Sequence, residues 1–352
     1  MKNIKIGNKI IGQSNETFIV AEMSANHNGN FDKAVEIIKS AKKSGADAIK
    51  IQTYTADTIT LDCDNEYFQI KQGTIWDGTT LHKLYQEAFT PWEWQKDLKK
   101  IAEEEGLIFF SSPFDKTAVD FLEKMDVDCY KIASFEITDI PFIKYIASIG
   151  KPVIMATGIA TLRDIDDAVN ACKSVGNDQI ILLKCTSAYP SPFEEVNLKT
   201  MANMKDTFGT LVGLSDHTMG TAVSIGAVAL GATMVEKHFT LSRSDIGPDS
   251  SFSMEPTEFS EMAASIRILE KAIGKVTYDL TDKQKRSREH SRSLFITKDM
   301  QQGDLFSHEN IRSVRPAYGL ETKYIDDIIG KRCNRSLRKG TPMAMQYVKF
   351  TD

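Results

Sequence analysis

Two of the six histidines in this chain, His217 and His238, each close a short apolar run, LVGLSDH and MVEKH. Neutral imidazoles at neighbouring strand ends can share one divalent cation. Two rings are too few for a structural zinc site, so the pattern predicts a catalytic, oxygen-rich centre for a divalent ion such as manganese, magnesium or cobalt. Two lysines form the second chemical signal. Lys50 in DAIKIQT and Lys131 in CYKIAS sit inside apolar runs, and a buried lysine needs an anion. Ser112, Ser134, Thr157 and Ser215 end other runs, and hydroxyls around lysine suit phosphate or carboxylate. Two other uses of the lysines stay open: structural pairing with Glu22 or Glu136, or a Schiff base of the aldolase kind. Of the other histidines, His82, His290 and His308 read as solvated, and His27 as a substrate contact or a cap on the first helix.

Those residues need elements to position them. Eight β-branched or apolar runs, at 18–24, 47–53, 107–113, 129–134, 152–158, 179–185, 211–217 and 234–240, alternate with segments of helical period, among them 31–44, 92–105, 139–149, 162–175 and 218–231. That order predicts an α/β fold, a (β/α)8 TIM barrel, with function at the C-terminal strand ends. Residues two apart on a strand share a face, so Lys50 and Gln52 go together, as do Ser215 with His217 and Glu236 with His238. Strand six is read as contributing Lys184. The connection 54–90 is too long for a plain barrel loop; it holds Tyr54, Tyr67, Phe68, Trp76 and Tyr85 and reads as shaping the substrate site, with a lid that packs only its own small core as the other reading. Residues 1–275 are assigned to the barrel, 276–290 to a charged linker, and 291–352 to a small, mostly β domain.

The totals are those of a chain with one large and one small domain: 352 residues, 41% hydrophobic, net charge −5. The charge offers no field for nucleic acid or an anionic membrane. Five cysteines without metal-type spacing, no apolar leader and no long uncharged apolar run predict a cytoplasmic protein.

In order, the segments AEMSANHNG (21–29), KIQT (50–53), SSPFD (111–115), YKIASFE (130–136), ATG (156–158), KCTSAYP (184–190), GLSDHT (213–218), EKHFT (236–240) and GPD (247–249) resemble the sialic acid (nonulosonate) synthase family. The stretch 292–320 resembles the antifreeze-like (SAF) domain that ends those enzymes. Met23-Ser24-Ala25 and Lys184 with Ser187 stand where the neuraminate type tends to have Ile-Gly-x and His with Asn, and with 73–94 they lean toward the pseudaminic acid branch. The resemblance implies condensation of phosphoenolpyruvate with an acetamido sugar. It places Lys50, Lys131, Ser112, Ser134, Thr157 and Ser215 on phosphoenolpyruvate, and the metal on His217 and His238. It places Glu22, Gln52, Ser187, Tyr189, Asp249, Phe295 and Arg315 on the sugar, and Glu136 at the reacting carbon or its water. It also implies a domain-swapped homodimer in which Arg315 reaches the partner's site. Legionaminic or neuraminic acid synthesis is the alternative.

Overall fold

The computed structural model describes residues 2–71, 73–245 and 247–349; the outermost residues of the two expected domains lie outside them. It divides between Gly274 and Lys275 into two compact units.

The first unit opens with a hairpin, β1 (Ile4–Ile6) and β2 (Lys9–Ile11), followed by eight parallel strands that close into a barrel: β3 (Phe18–Glu22), β4 (Ala48–Thr53), β5 (Ile108–Pro113), β6 (Tyr130–Ile132), β7 (Val153–Ala156), β8 (Ile180–Cys185), β9 (Leu211–Asp216) and β10 (Met234–His238). Around them run α1 (Phe31–Lys43), α2 (Ala56–Ile59), α3 (Leu81–Ala88), α4 (Trp92–Glu104), α5 (Lys116–Lys124), α6 (Ile140–Ser148), α7 (Leu162–Ser174), α8 (Lys199–Phe208), α9 (Ala222–Ala229) and α10 (Pro256–Ile273). Helix starts follow from local chemistry. Asn30, Thr80, Asp115, Asp139 and Thr161 each accept a backbone N–H of the first turn.

Strand alternation separates two cores. One set of side chains, including Ile19, Ile49, Ile132, Leu182 and Val235, packs outward among the helices. The other, including Phe18, Val20, Phe110, Ile154, Ile181, Leu183 and Met234, fills the barrel, and Ile4, Ile6 and Ile11 of the hairpin belong to that inner cluster. The hairpin therefore plugs the N-terminal end and leaves the C-terminal end open. Gly213 serves closure: a β-carbon there would stand 2.4 Å from the Met234 carbonyl of the neighbouring strand.

One buried ion pair ties the strands that carry the two histidines. Lys237 Nζ donates to Asp216 Oδ2 at 2.8 Å and to the Thr218 and Gly220 carbonyls at 2.6 and 3.0 Å. Asp216 also accepts from Ser224 and Thr218. Both side chains face away from the barrel interior. Removing one partner of such a pair strands the other charge, so Lys237→Met should cost about 3–5 kcal/mol in urea unfolding. Adding Asp216→Asn should return part of that loss, a coupling that independent sites would lack.

The second unit carries α11 (Asp282–Arg288), wholly exposed, then two small antiparallel sheets, β11 (Ser293–Ile296) with β12 (Ile311–Val314) and β13 (Arg332–Cys333) with β14 (Val348–Lys349), and a helical turn, α12 (Ile325–Ile328). Leu294, Ile296, Met300, Phe306, Ile311, Ile328, Cys333, Leu337, Met343 and Val348 form a core of its own.

Candidate active site

At the open end of the barrel the inward positions turn from apolar to charged. Register aligns Glu22 with Lys50 and brings Ser215 beside Glu236. Lys50 Nζ lies 2.8 Å from Glu22 and 3.6 Å from Glu236, with Ser112 Oγ at 3.4 Å. Lys131 Nζ meets the same Glu236 oxygen at 3.1 Å, and Ser215 donates to it at 3.0 Å. All four charged side chains are buried.

Burial and charge compete inside this cluster, with different winners. Burial raises the Glu22 carboxyl, and Lys50 only partly opposes it. Burial would also raise Glu236, but Lys131 and Lys50 outweigh it and hold that carboxyl near 2. For Lys50, Glu22 and Glu236 outweigh desolvation and keep the ammonium charged. For Lys131, burial wins and the pKa falls. Burial thus works against the charge on Glu22 and on Lys131, while the lysines hold the charge on Glu236.

The expectation paired the lysines with Glu22 or Glu136; the second carboxylate is Glu236. Glu136 instead sits on a 3-10 turn, Ser134–Glu136, after β6, with Oε2 buried and unpartnered. Burial pushes its carboxyl up to about 7. A folded pKa above the ordinary one means the folded chain loses stability as pH climbs from about 4.5 to about 7. Glu136→Gln should therefore raise stability at pH 8 by roughly 2 kcal/mol and leave it unchanged near pH 4, read from urea melts at both values.

His217 and His238 end adjacent strands with ring centroids 5.4 Å apart. His217 Nδ1 lies 3.0 Å from the Thr186 carbonyl, which can only accept, so that nitrogen carries a proton and the contact fixes the orientation of the ring. Cys185 Sγ is 3.9 Å from the same nitrogen. Burial, then the charge of His217, drives His238 well below the usual imidazole range, and its Nδ1 is buried without a partner. The pair could hold a cation. Among the described residues no group of three or more His, Cys, Asp or Glu side chains is gathered for one.

Tyr189 roofs the mouth, stacked at 4.3 Å on His217 and packed against Phe252 and Trp76. Trp76 comes from the long connection, and its Nε1 donates to the Pro248 carbonyl at 3.0 Å. The rest of that connection is no bare loop: α2 and α3 lie in it, Tyr54 is buried against Tyr85 and Phe114, and Tyr67 is exposed.

Several expected residues stand differently. Lys184 alternates with the inward Leu183 and so points away from the interior, donating to the Cys185 carbonyl at 2.6 Å; Cys185 shares the Leu183 face and reaches His217. Thr157 donates its hydroxyl proton to the Leu183 carbonyl. Ser187 Oγ is buried, unpartnered and pressed against Gly158, where a β-carbon would stand 2.1 Å from it. Gly158 N donates to Ser134 at 3.2 Å. Asp249 is buried at the rim and accepts from Ser24 and the Ala25 amide. His27 is buried against Thr90 and Trp94, its pKa lowered by burial to about 4, so it braces the rim. His82 was expected in solvent; it is buried in α3, 2.9 Å from Asp57. Phe295 and Arg315 lie in the second unit, Phe295 half-buried and Arg315 exposed. Of the pieces without an assigned role in the sequence, Glu236 could have been found by its two-residue spacing from His238. Ser24 had only its motif position.

Comparison with known proteins decides what this mouth belongs to. The NeuB family model matches residues 37–278 and the SAF domain model residues 291–344. This chain belongs to the NeuB family. Among curated relatives, the pseudaminic acid synthase of Campylobacter jejuni is 44% identical over 96% of this chain and 97% of its own, and that of Helicobacter pylori 43% over 94% and 97%. The N,N'-diacetyllegionaminic acid synthase of C. jejuni is 38% identical over 92% and 98%. Among solved structures, the N-acetylneuraminic acid synthetase of Leptospira borgpetersenii, in complex with citrate, superposes with TM-score 0.73 at 29% identity, covering 81% of this chain and 95% of that one. This NeuB-family chain is therefore an enzyme, and no helix among its described residues is long and apolar enough to cross a membrane.

Proposed function

We propose that this chain is a pseudaminic acid synthase. It condenses phosphoenolpyruvate with 2,4-diacetamido-2,4,6-trideoxy-altrose and water, giving pseudaminic acid and phosphate. The observation that carries the chemistry is the buried Lys50–Lys131–Glu236 floor beneath His217 and His238. Identity to pseudaminic acid synthases above that to legionaminic acid synthases carries the choice of sugar.

Lys50 and Lys131, with Ser112, Ser134 and Ser215, take the phosphate and carboxylate of phosphoenolpyruvate. Thr157 joins them by giving up its bond to Leu183. C3 of phosphoenolpyruvate attacks the aldehyde carbon of the open-chain sugar and C2 becomes cationic. Water then adds at C2, and phosphate leaves with its bridging oxygen. Glu136, with its pKa near 7, stabilises the cationic carbon as carboxylate and takes the water's proton. Tyr189, Glu22, Gln52, Ser187 and Asp249 line the sugar. The two imidazoles fit a divalent cation, manganese, magnesium or cobalt, because both rings are aimed or emptied of partners. Such an ion would supply Lewis acidity at the aldehyde.

The same reading has Phe295 and Arg315 of one subunit completing the sugar site of the other in a domain-swapped homodimer. Arg315 suits this: it is exposed and has no ion-pair or hydrogen-bond partner among the described residues. The loop behind it is pinned, since Ser293 donates to the Pro316 carbonyl at 2.7 Å and the Gly319 amide donates to Ser293 at 2.9 Å.

Phosphate release measured with phosphoenolpyruvate and a panel of sugars tests the assignment. We expect kcat/KM for the diacetamido altrose to exceed that for N-acetylmannosamine by about 100-fold or more, since the pocket would be built around a second acetamido group. Preference for N-acetylmannosamine would overturn the choice of sugar and leave the family intact.

A further inference from the structure

Four non-glycine residues among those described have positive φ: Ser24, Asn28, Asp126 and Asn197. Asparagine and aspartate tolerate that region, because their side chains bond locally to the backbone. Serine has less reason to be there. Ser24, at φ 46°, stands in the sugar-side wall of the mouth, directly after β3, and is buried. A strained backbone at such a place points to what the side chain does.

Its hydroxyl sits in a chain of hydrogen bonds that runs in one direction. Ser24 Oγ donates its single proton to Asp249. It can then only accept from Gln52, whose Nε2 lies 3.0 Å away. The other Nε2 proton goes to Glu22 at 3.1 Å. Both amide protons are thereby spent, and the orientation of the Gln52 amide is settled by its partners. What remains of the Gln52 amide is its carbonyl oxygen, an acceptor. One wall therefore offers acceptors while the floor, with Lys50 and Lys131, offers donors. That division sorts the two substrates: the anionic oxygens of phosphoenolpyruvate belong on the floor, and N–H or O–H groups on the wall.

We propose that Ser24 is a specificity-determining residue for the sugar: it holds Gln52 and Asp249 in the orientation that accepts a hydrogen bond from the acetamido N–H of the substrate. The inference rests on the synthase reading above. A glycine at this position would relax the backbone, release Asp249, and leave the Gln52 amide free to turn.

The test uses the full-length enzyme, the diacetamido altrose and phosphoenolpyruvate, comparing wild type with Ser24→Gly and Ser24→Ala in steady-state kinetics and thermal melts. Loss of one oriented hydrogen bond should raise KM for the sugar about tenfold in both variants and leave KM for phosphoenolpyruvate within about twofold. Ser24→Gly should melt at or above wild type, and Ser24→Ala, which keeps the strain without the hydroxyl, below Ser24→Gly. Adding Asp249→Asn to Ser24→Gly should then raise the sugar KM by much less than it does in wild type. An unchanged sugar KM in both variants, or equal shifts in both substrates' KM, overturns the role of Ser24. Wild type that releases no phosphate with this sugar overturns the synthase reading, and the inference with it.

Discussion

His217→Ala and His238→Ala should each lower turnover by roughly three orders of magnitude while the barrel stays folded. Stability and chemistry separate here because few hydrogen bonds of the fold rest on either ring. His238 is neutral and its Nδ1 has no partner, so its removal breaks no hydrogen bond at that nitrogen. His217 gives one proton to the Thr186 carbonyl, a bond worth about 1 kcal/mol. The Lys237–Asp216 pair that fixes the two strands remains in either variant. The cation that both rings would share is the thing lost. Metal-stripped wild type should accordingly match the variants in phosphate release, and added manganese should restore wild type alone. Manganese binding, followed by electron paramagnetic resonance on the protein without substrate, should weaken in each variant. Full turnover after chelation, with no manganese bound by wild type, would remove the cation from the mechanism.

The barrel was legible because each of its strands is buried on both faces and reads as a short continuous apolar run between helical periods. The hairpin 4–11 was not. Strands of three residues carry too little pattern, and only the Ile4–Lys5–Ile6 alternation hinted at them. At the mouth, residue types were readable and pairings were not. Lys50 and Lys131 announce buried positive charge, but Glu236 lies 105 residues beyond Lys131, and only the closed barrel brings them together. Lys184 marks a second limit. Shifting strand parity by one residue exchanges the inward and outward sets, and on β8 the interior belongs to Ile181 and Leu183. His82 marks a third: its polar neighbours in sequence suggested solvent, while α3 turns it inward, 2.9 Å from Asp57 of α2. Local composition reports exposure poorly wherever a long connection folds back on the barrel.

Subunit mixing should separate a domain-swapped enzyme from a self-contained one. Arg315→Ala should lower kcat/KM for the sugar strongly, because a planar guanidinium that bonds hydroxyl or acetamido oxygens has no substitute in alanine. Glu136→Gln should inactivate the same site from the barrel side by removing the group that handles the water at C2. The two defects lie in different units of the chain, Arg315 beyond Gly274 and Glu136 before it. If Arg315 serves the partner's barrel, a mixed dimer pairs one sound barrel with one sound arginine, and its second site carries both defects. Random exchange between equal amounts of the two variants then makes about a quarter of all sites intact, and phosphate release should recover to about that fraction of wild type. If Arg315 serves its own barrel, each site keeps one defect whatever its partner, and the mixture stays as inactive as its components. Light scattering supplies the second arm: the swap requires a dimer, and a monomer that keeps full activity after removal of residues 291–352 would end the proposal. The amount of activity regained on mixing is therefore a direct count of sites built from two chains.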